Sequence, residues 1–580
     1  MRIEKFLDEL ATSTLSALTG ESAPALLRPT TDAKHGDYQI NAAMALAKRL
    51  GKKPRDIAEP LAAKLAEHEA IEKAEVAGPG FVNLTLAPAF LARALSEAAT
   101  DFGRDGVPSV ERPLRVIVDF SSPNIAKQMH VGHLRSTIIG DALRNLLQLV
   151  GHEVTGVNHI GDWGTQYGLL LTGMRRLGDT SALESSPIEE LERVYRESSA
   201  RAKEDEAFAQ SARDELAKLQ NGDPENLQLW KKFVETTRLE LDRVYDRMGI
   251  EFDSWRGESS YNDALPGVVD SLKEAGLARL DDGAMGVFWG EIEGAPEKLK
   301  KQKEPFLVRK RDGAFLYATT DVAAALYRKR ELEADRIYYV VDARQAGHFE
   351  QLFALVRLLG VELVMEHVSF GTVLDESGKP LKTRDGKAVT LASLLDEAEE
   401  RARARIAEGV SDGKLHVAPE DLPQVARALG IGAVKYADLR QNRTSDYQFD
   451  WDKMLSFQGN AGPYLQYAYA RIASLFEKAD KKPSAQRAAV TLEAPEEIRL
   501  GKVLVRFGEV VHQAAETAQP HLLTDHLYEL ARAFSGFYEA CPILKAEGDA
   551  TESRLTLAAM TSRQLERGLG LLGIQVVERM

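Results

Sequence analysis

Cysteine is almost absent from this chain of 580 residues, which contains Cys541 and no other. A single thiol allows neither an internal disulfide framework nor a zinc site built on cysteines. The sequence therefore predicts a fold held together by its apolar core, in a reducing, cytoplasmic setting. The composition agrees, because 44% hydrophobic and 28% charged residues are typical of water-soluble globular proteins.

A long uninterrupted apolar run is also missing. The opening segment MRIEKFLDELATSTL lacks the apolar stretch of a secretory signal. No later window reaches the roughly eighteen charge-free apolar residues that a membrane span needs. We therefore expect neither secretion nor insertion into a membrane.

Positive charge is in deficit, because 74 Lys and Arg stand against 88 Asp and Glu, for a formal net charge of -14. Nucleic-acid affinity depends largely on neutralising phosphates with basic side chains. The composition thus argues against DNA as a partner and requires any RNA partner to meet a local basic surface. The length exceeds what one hydrophobic core supports, so about two to four domains are expected.

The first region, residues 1–110, predicts a small α+β domain. Apolar spacing predicts helices over residues 4–18 and from Pro54 onward, and two short apolar runs flanking residues 78–80 predict a hairpin. Turn-forming residues near Gly106 mark the end of this region.

The second region, residues 111–416, alternates strands with helices, which predicts a parallel sheet of the Rossmann type. A charged helical insertion at about residues 174–300 interrupts the alternation, and Asp312-Gly313 predicts a turn between two short strands. The third region, residues 417–580, is almost entirely helical. The expected fold is a multidomain α/β protein with a helical C-terminal domain.

The motif His130-Val131-Gly132-His133 stands between a buried strand and the helix that follows it. A helix N-terminus presents free N–H groups that suit phosphate, and two imidazoles three residues apart can donate hydrogen bonds to a polyphosphate. Gly132 leaves room for a flat base. The alternatives are two histidines with purely structural partners, or half of a zinc site, which has no second His/Cys pair at ligand spacing.

The segments DFSSPNIAKQMHVGHLRSTIIGDALRNLL and NHIGDWGTQYG resemble the nucleotide-binding region of class I aminoacyl-tRNA synthetases, in detail the arginyl members. The resemblance implies ATP bound with Mg²⁺, and attack by the carboxylate of L-arginine on the α-phosphate. The arginyl group would then pass from the adenylate to the terminal 2′-hydroxyl of tRNA(Arg). It also implies activation that requires bound tRNA, a monomer, and no metal site of the protein's own.

Other segments carry the same resemblance over almost the whole chain. GDYQINAAMALAK is similar to a tRNA-contacting N-terminal module, and QNRTSDYQFDWDKMLSFQGNAGPYLQYAYARI to the start of an anticodon-binding domain. Stacking on unpaired bases is the role expected of Tyr447, Phe449, Trp451 and Tyr464. Aromatic residues at helical spacing belong to the core about as often, and that alternative stays open.

A second basic segment is expected at residues 378–387, where class I enzymes carry a mobile lysine loop. Here that loop is degenerate, and Lys382, Thr383 and Arg384 are the residues expected near the ATP phosphates. The resemblance implies that Lys127, just before the histidine motif, replaces the missing lysine in stabilising transition-state charge. A solvated basic turn is the alternative for the loop on its own.

An arginine substrate requires carboxylates, because its guanidinium is a planar fork of donors that always carries a positive charge. Such a pocket needs no editing site, since lysine or citrulline would leave buried carboxylates unpaired. Asp119, at a strand end, has a cap or turn role as its alternative. The residues expected to bind arginine are Asp119, Asn124, His159, Tyr317, Asp321 and Gln345.

Two other functions share parts of this pattern. A small nucleotidyltransferase uses the same histidine motif, but it needs no helical domain of the size of residues 417–580. A non-catalytic tRNA-binding relative is disfavoured by the intact His130, His133 and Lys127, and a charging assay separates it from an enzyme.

Overall fold

The computed structural model describes residues 2–30, 32–381, 389–486, 489–546 and 548–580. The chain divides into two compact units, one of Met1–Val110, Arg403–Tyr436 and Leu455–Met580, the other of Glu111–Ala402 and Ala437–Met454. Among the residues described, no helix combines the length and apolarity needed to cross a membrane.

The N-terminal part of the first unit is an α+β fold. Its elements are α1 (Ile3–Thr19), β1 (Leu27–Pro29), β2 (Tyr38–Ile40), α2 (Ala42–Leu50), α3 (Pro54–Leu65), β3 (Ile71–Ala77), β4 (Phe81–Leu86) and α4 (Pro88–Ala99). The strands form an antiparallel sheet in the order β1-β2-β4-β3. Helix α1 buries the spaced apolar side chains Ile3, Leu7, Ala11 and Leu15. The predicted hairpin at residues 78–80 is confirmed.

The second unit is built on a parallel sheet. Its first elements are β5 (Arg115–Asp119), α5 (Val131–Leu149), β6 (Glu153–Asn158), α6 (Gln166–Leu177), α7 (Thr180–Ser185), α8 (Pro187–Glu204), α9 (Glu206–Gln220), α10 (Pro224–Met248), β7 (Ser254–Trp255), α11 (Leu265–Glu274), β8 (Arg279–Asp281), β9 (Ala284–Val287), α12 (Glu297–Lys300) and β10 (Phe306–Arg309). Then follow α13 (Tyr317–Arg330), β11 (Arg336–Tyr339), α14 (Ala346–Leu358), β12 (Val364–His367) and β13 (Val373–Leu374).

The five-stranded sheet has the order β12-β11-β5-β6-β7, with every pair parallel. Strand β5 is central and buries Val116, Ile117 and Val118. Helix α5 approaches it closely because Gly140 has no side chain, as a Cβ there would lie 2.2 Å from Cβ of Phe120. Carboxyl ends of parallel strands are where such sheets bind ligands.

The insertion is helical, as predicted, over α7 to α10. The predicted turn at Asp312-Gly313 is confirmed, and two backbone hydrogen bonds cross it, from Lys310 to Ala314 and from Leu316 to Val308. The first predicted strand is β10, but the second is reduced to one antiparallel bridge at Phe315 before α13 begins at Tyr317. Strand β10 pairs instead with β9, which pairs with β8 in a small antiparallel sheet.

The remaining helices are α15 (Leu391–Ser411), α16 (Leu422–Leu439), α17 (Trp451–Met454), α18 (Gly462–Lys478), α19 (Pro495–Val505), α20 (Phe507–Glu516), α21 (His521–Ala540) and α22 (Asp549–Leu571), with β14 (Tyr447–Gln448) between α16 and α17. Helices α19 and α20 follow each other almost without a break. They are separated at Arg506, whose N–H bonds back to the carbonyl of Val503, three residues earlier.

Candidate active site

The two motif histidines lie at the start of α5. His130 is its N-cap, and its Nδ1 accepts a hydrogen bond from the N–H of Gly132 at 3.0 Å. The N–H of His130 donates in turn to Nδ1 of His133 at 3.1 Å, and the ring centroids are 4.1 Å apart. Because both Nδ1 atoms accept, the proton of each neutral ring is on Nε2, which leaves Nε2–H as a donor.

The surroundings keep both rings uncharged. Burial and the nearby cations Lys127 and Arg344 lower the pKa of His130. Burial, His130 and Lys127 lower the pKa of His133 to about 3. At neutral pH the pair therefore presents two neutral N–H donors, which can stabilise phosphate oxygens without transferring a proton to them.

Gly132 has a structural reason to be glycine. A Cβ at this position would lie 2.7 Å from Cε1 and 2.8 Å from Nδ1 of His130. The sequence predicts that the missing side chain of Gly132 leaves room for a substrate base. In this structure the imidazole of His130 packs closely against the same glycine. Any side chain at residue 132 would displace that ring from its capping position.

The loop before the motif is held at several points. Ala126 has a positive φ of 62°, and its N–H donates to Oγ1 of Thr237 on α10. Lys127 is exposed, and its Nζ lies 5.2 Å from the ring centroid of Tyr195 on α8. Much further along the chain, the backbone of residues 389–391 hydrogen-bonds to the backbone of residues 129–131. Lys382, Thr383 and Arg384 lie outside the described residues.

A pocket of ≈ 520 Å³ opens beside the motif. One wall is the loop and motif, with Asn124, Lys127, Gln128, His130 and His133. Asn124 fits there because Gly161 is opposite it, where a Cβ would lie 2.1 Å from Oδ1 of Asn124. The other wall comes from α8.

A group of three carboxylates that form no ion pair with a described Lys or Arg lies near the ends of β6 and β7. Burial, Asp321 and Asp162 raise the pKa of Glu258 to about 8, and none of the described basic side chains forms an ion pair with it. Asp162 accepts from the N–H and hydroxyl of Ser259, at 2.8 and 2.6 Å. Asp321 accepts a 2.6 Å hydrogen bond from Nε2 of His348. This acidic cluster, Glu258 with Asp162 and Asp321, is short of positive charge.

Tyr317 adjoins the acidic cluster. It opens α13 one turn before Asp321, so the two side chains lie on one face of the helix. Its ring is 60% exposed, and desolvation together with Glu258 and Tyr195 raises its pKa. Gln345 is exposed at the end of the short helical turn 343–345.

His159 carries an acceptor with no partner. Its Nδ1 donates to the carbonyl of Arg256 at 3.0 Å, because a carbonyl can only accept. Its Nε2 is buried and has no hydrogen-bond partner among the described residues. Burial raises the pKa of Asp162, and His159 acts on that carboxyl in the opposite direction, so His159 lies near the acidic cluster. A ligand that donates hydrogen bonds suits this atom.

Asp119 differs from the expectation of an open carboxylate. It is 5% exposed, and its Oδ2 accepts from Nη2 of Arg328 at 2.5 Å. Its Oδ1 accepts from the hydroxyl of Ser122 at 3.0 Å. Each oxygen thus accepts one hydrogen bond from the chain's own groups, and a direct contact with arginine, which stays a prediction, would use the remaining lone pairs.

The four aromatic residues expected to contact RNA have different environments. Tyr447 and Phe449 are each 7% exposed, and Tyr447 lies under the guanidinium of Arg135 at 5.3 Å. These two rings are core residues, which corrects the expectation of base stacking. Trp451 is half-buried with Arg401 over its ring, and Tyr464 is half-buried and edge-on to Tyr528.

Sequence reasoning missed Glu258 and Arg328. Glu258 stands in the segment GESSYNDALP, shortly after the parallel strand β7. Ligand-binding side chains collect at the carboxyl ends of parallel strands, so this position was one signal. Arg328 gave no local signal, because its pairing with Asp119 spans 209 residues.

Family models and relatives cover the chain from end to end. Residues 2–86 match the arginyl tRNA synthetase N terminal domain, residues 103–451 the catalytic domain of tRNA synthetases class I (R), and residues 465–580 the DALR anticodon binding domain. Arginine–tRNA ligase of Chromobacterium violaceum is 46% identical over 588 residues, with 100% of both chains covered. That of Azotobacter vinelandii is 46% identical with 99% of both covered.

Solved structures of arginyl-tRNA synthetases superpose on this chain over its whole length. Arginyl-tRNA synthetase of Plasmodium falciparum superposes with a TM-score of 0.84 at 29% identity, covering 100% of this chain and 99% of that one. The Thermus thermophilus enzyme gives a TM-score of 0.82 at 26% identity, with 100% of both chains covered.

Proposed function

The chain belongs to the arginyl-tRNA synthetases, class I enzymes that use ATP to join arginine to tRNA(Arg), and from this premise we propose how its residues divide the work. The observation that carries the proposal is a pair of neutral imidazole donors in the same unit as carboxylates that lack a cation. The imidazole donors suit a polyphosphate, and the carboxylates suit a guanidinium.

The nucleotide half of the site is assigned to the motif. Nε2–H of His130 and of His133 donate to phosphate oxygens of ATP, which enters as its Mg²⁺ complex, and Gly132 keeps the first ring in place. Lys127 supplies positive charge beside them. Lys382, Thr383 and Arg384, which lie outside the described residues, are proposed to complete the phosphate contacts. These groups stabilise charge on the departing pyrophosphate.

The arginine half is assigned to the acidic cluster. Glu258 and Asp321 pair with the guanidinium, Nε2 of His159 accepts from it, and Tyr317 offers an exposed ring face. Asn124 and Gln345 are proposed as further polar contacts to arginine. Asp119 is proposed as a further contact to arginine, and it also fixes Arg328 and the end of β5.

In the first step, a carboxylate oxygen of arginine attacks the α-phosphorus of ATP and pyrophosphate leaves. In the second, the terminal 2′-hydroxyl of tRNA attacks the adenylate carbonyl and AMP leaves. Neutral His130 and His133 act by orientation and charge stabilisation in the first step, since their lowered pKa values make them poor proton acceptors.

Contact with tRNA is assigned to Trp451 and Tyr464 among the four aromatic residues, because their rings are only half-buried. We further propose that arginine activation requires bound tRNA, since the lysine loop is degenerate. Pyrophosphate exchange at the full rate without tRNA would remove that requirement. A monomer in the cytoplasm is proposed as its working state, in line with the single thiol.

The direct test is charging of total tRNA with each of the twenty amino acids. Arginine alone should be attached, and His133→Ala should lower kcat by about 10² to 10³ with an unchanged melting temperature. A matched control is His35→Ala, at an exposed histidine of the first unit. Charging with another amino acid, or full activity of His133→Ala, would overturn the assignment.

A further inference from the structure

Helix α8, which belongs to the insertion, forms the second wall of the motif pocket. The side chains that it contributes recur at helical spacing on one face: Glu192, Tyr195, Arg196, Ser199, Ala200 and Lys203. The charged insertion is therefore more than a solvated appendage, because one face of α8 lines the pocket that contains His130 and His133.

The cations of α8 fall into two groups. Arg193 pairs with Glu190 and Glu197, and Arg201 lies 3.7 Å from Asp205. Arg196 and Lys203, which line the pocket, make no ion pair or hydrogen bond with any residue that the structure describes. In a chain with a net charge of -14, these two unpaired cations, two helical turns apart on a cavity wall, are available to an anion.

Two contacts fix α8 against the motif loop. The ammonium of Lys127 lies over the ring of Tyr195, 5.2 Å from its centroid, and Nε2 of Gln128 donates to Oε1 of Glu189 at 3.0 Å. The opposite face of α8 buries Leu191 and Val194 in the core of the unit. The lining face is thereby held towards the pocket by packing on one side and by the loop on the other.

We infer that Arg196 and Lys203 bind the β- and γ-phosphates of ATP from the α8 wall, opposite the motif histidines. Together with Lys127 they place three cations against the single carboxylate Glu192 in this pocket. Polyphosphate is the ligand that such a cluster suits, because neutral imidazole donors adjoin it and the charges balance a Mg²⁺-bound triphosphate. The inference rests on the proposed nucleotide site.

The consequence is a division of labour between the insertion and the degenerate loop. In other class I enzymes a second lysine of the loop supplies positive charge. Here part of that charge would come from the helix α8. Packing and the contacts to the motif loop fix the backbone of α8, so the helix that carries Arg196 and Lys203 is in place before ATP arrives.

The test is calorimetric titration of the whole protein with ATP and with AMP, each with Mg²⁺ and without arginine. Arg196→Gln/Lys203→Gln should weaken ATP binding by about tenfold and leave AMP binding unchanged, because AMP lacks the β- and γ-phosphates. Arg213→Gln, on the neighbouring α9 and paired with Glu206, is the matched control and should bind ATP as the wild type does. Arg196→Lys, which keeps the positive charge, should retain most of the ATP affinity that the double variant loses.

Kinetics separates ATP from the other phosphate source, the tRNA acceptor end. The double variant should raise the KM for ATP and leave the KM for tRNA and the melting temperature unchanged. Unchanged ATP affinity, or a raised KM for tRNA alone, would overturn the inference while leaving the proposed function intact. A wild type that binds no ATP would overturn both.

Discussion

Protonation of Glu258 should limit arginine binding near neutral pH. Its pKa is about 8, and pairing with a guanidinium requires the charged form. At pH 7, one unit below that pKa, about nine in ten free enzyme molecules carry the proton. Ionising the group before it pairs therefore costs a factor of about ten in affinity, which corresponds to about 1.4 kcal/mol.

The expected result is a dissociation constant for arginine that falls about tenfold between pH 7 and pH 9, with roughly 0.9 proton released per arginine bound at pH 7. Calorimetric titration with tRNA present, in two buffers of different ionisation enthalpy, measures both quantities. Glu258→Gln should bind arginine roughly ten to a hundred times more weakly at pH 9 and release no proton from this site.

Two controls make the assay specific. Glu251→Gln changes an exposed carboxylate of the same segment and should behave as the wild type. Titration of the amino acid's own α-amino group is common to all three proteins, so it cancels in the comparison. Wild-type affinity that is constant from pH 7 to pH 9, or proton release that survives in Glu258→Gln, would refute the reasoning.

The remaining predictions concern stability and RNA. Asp119→Ala should lower the free energy of unfolding by about 3 to 5 kcal/mol in urea titration, because it strands the buried guanidinium of Arg328, and Arg328→Met in the same chain should recover most of it. Burial and Glu4 raise the pKa of Glu509 to about 7. Protonated Glu509 therefore contributes its full share of the free energy of unfolding below pH 4.5, and this contribution is lost as the pH rises through 7. Glu509→Gln, which cannot ionise, should gain stability relative to the wild type between pH 5 and 8. Tyr464→Ala should raise the KM for tRNA about tenfold without changing pyrophosphate exchange at saturating tRNA; an unchanged KM would remove Tyr464 from the interface.

Much of the fold was predictable because its signals are local. The strand before the motif, the helix from Val131 and the hairpin at residues 78–80 follow from apolar spacing and turn residues within short windows. The prediction was incomplete at residues 312–317, where the turn forms but the second strand is reduced to one bridge. Strand β10 has its main partner in β9, a pairing that no local pattern records.

The candidate site divides in the same way. The motif histidines were identifiable because strand, loop and helix are consecutive in the chain. Tyr447 and Phe449 were not separable from surface aromatics, because burial depends on which distant elements pack over a ring. Glu258 is ordinary in sequence and becomes exceptional only where Asp162 and Asp321 approach it.

By itself the sequence determined the family, the order of the regions and the nucleotide motif, since each is written in residues that are neighbours along the chain. Only the tertiary structure decided which charges are neutralised. It paired Asp119 with Arg328, left Glu258 without a cation, and placed Arg196 unpaired on the pocket wall. The physical reason is that electrostatic energy depends on distance through space, and the closest partners of these groups lie tens to hundreds of residues away.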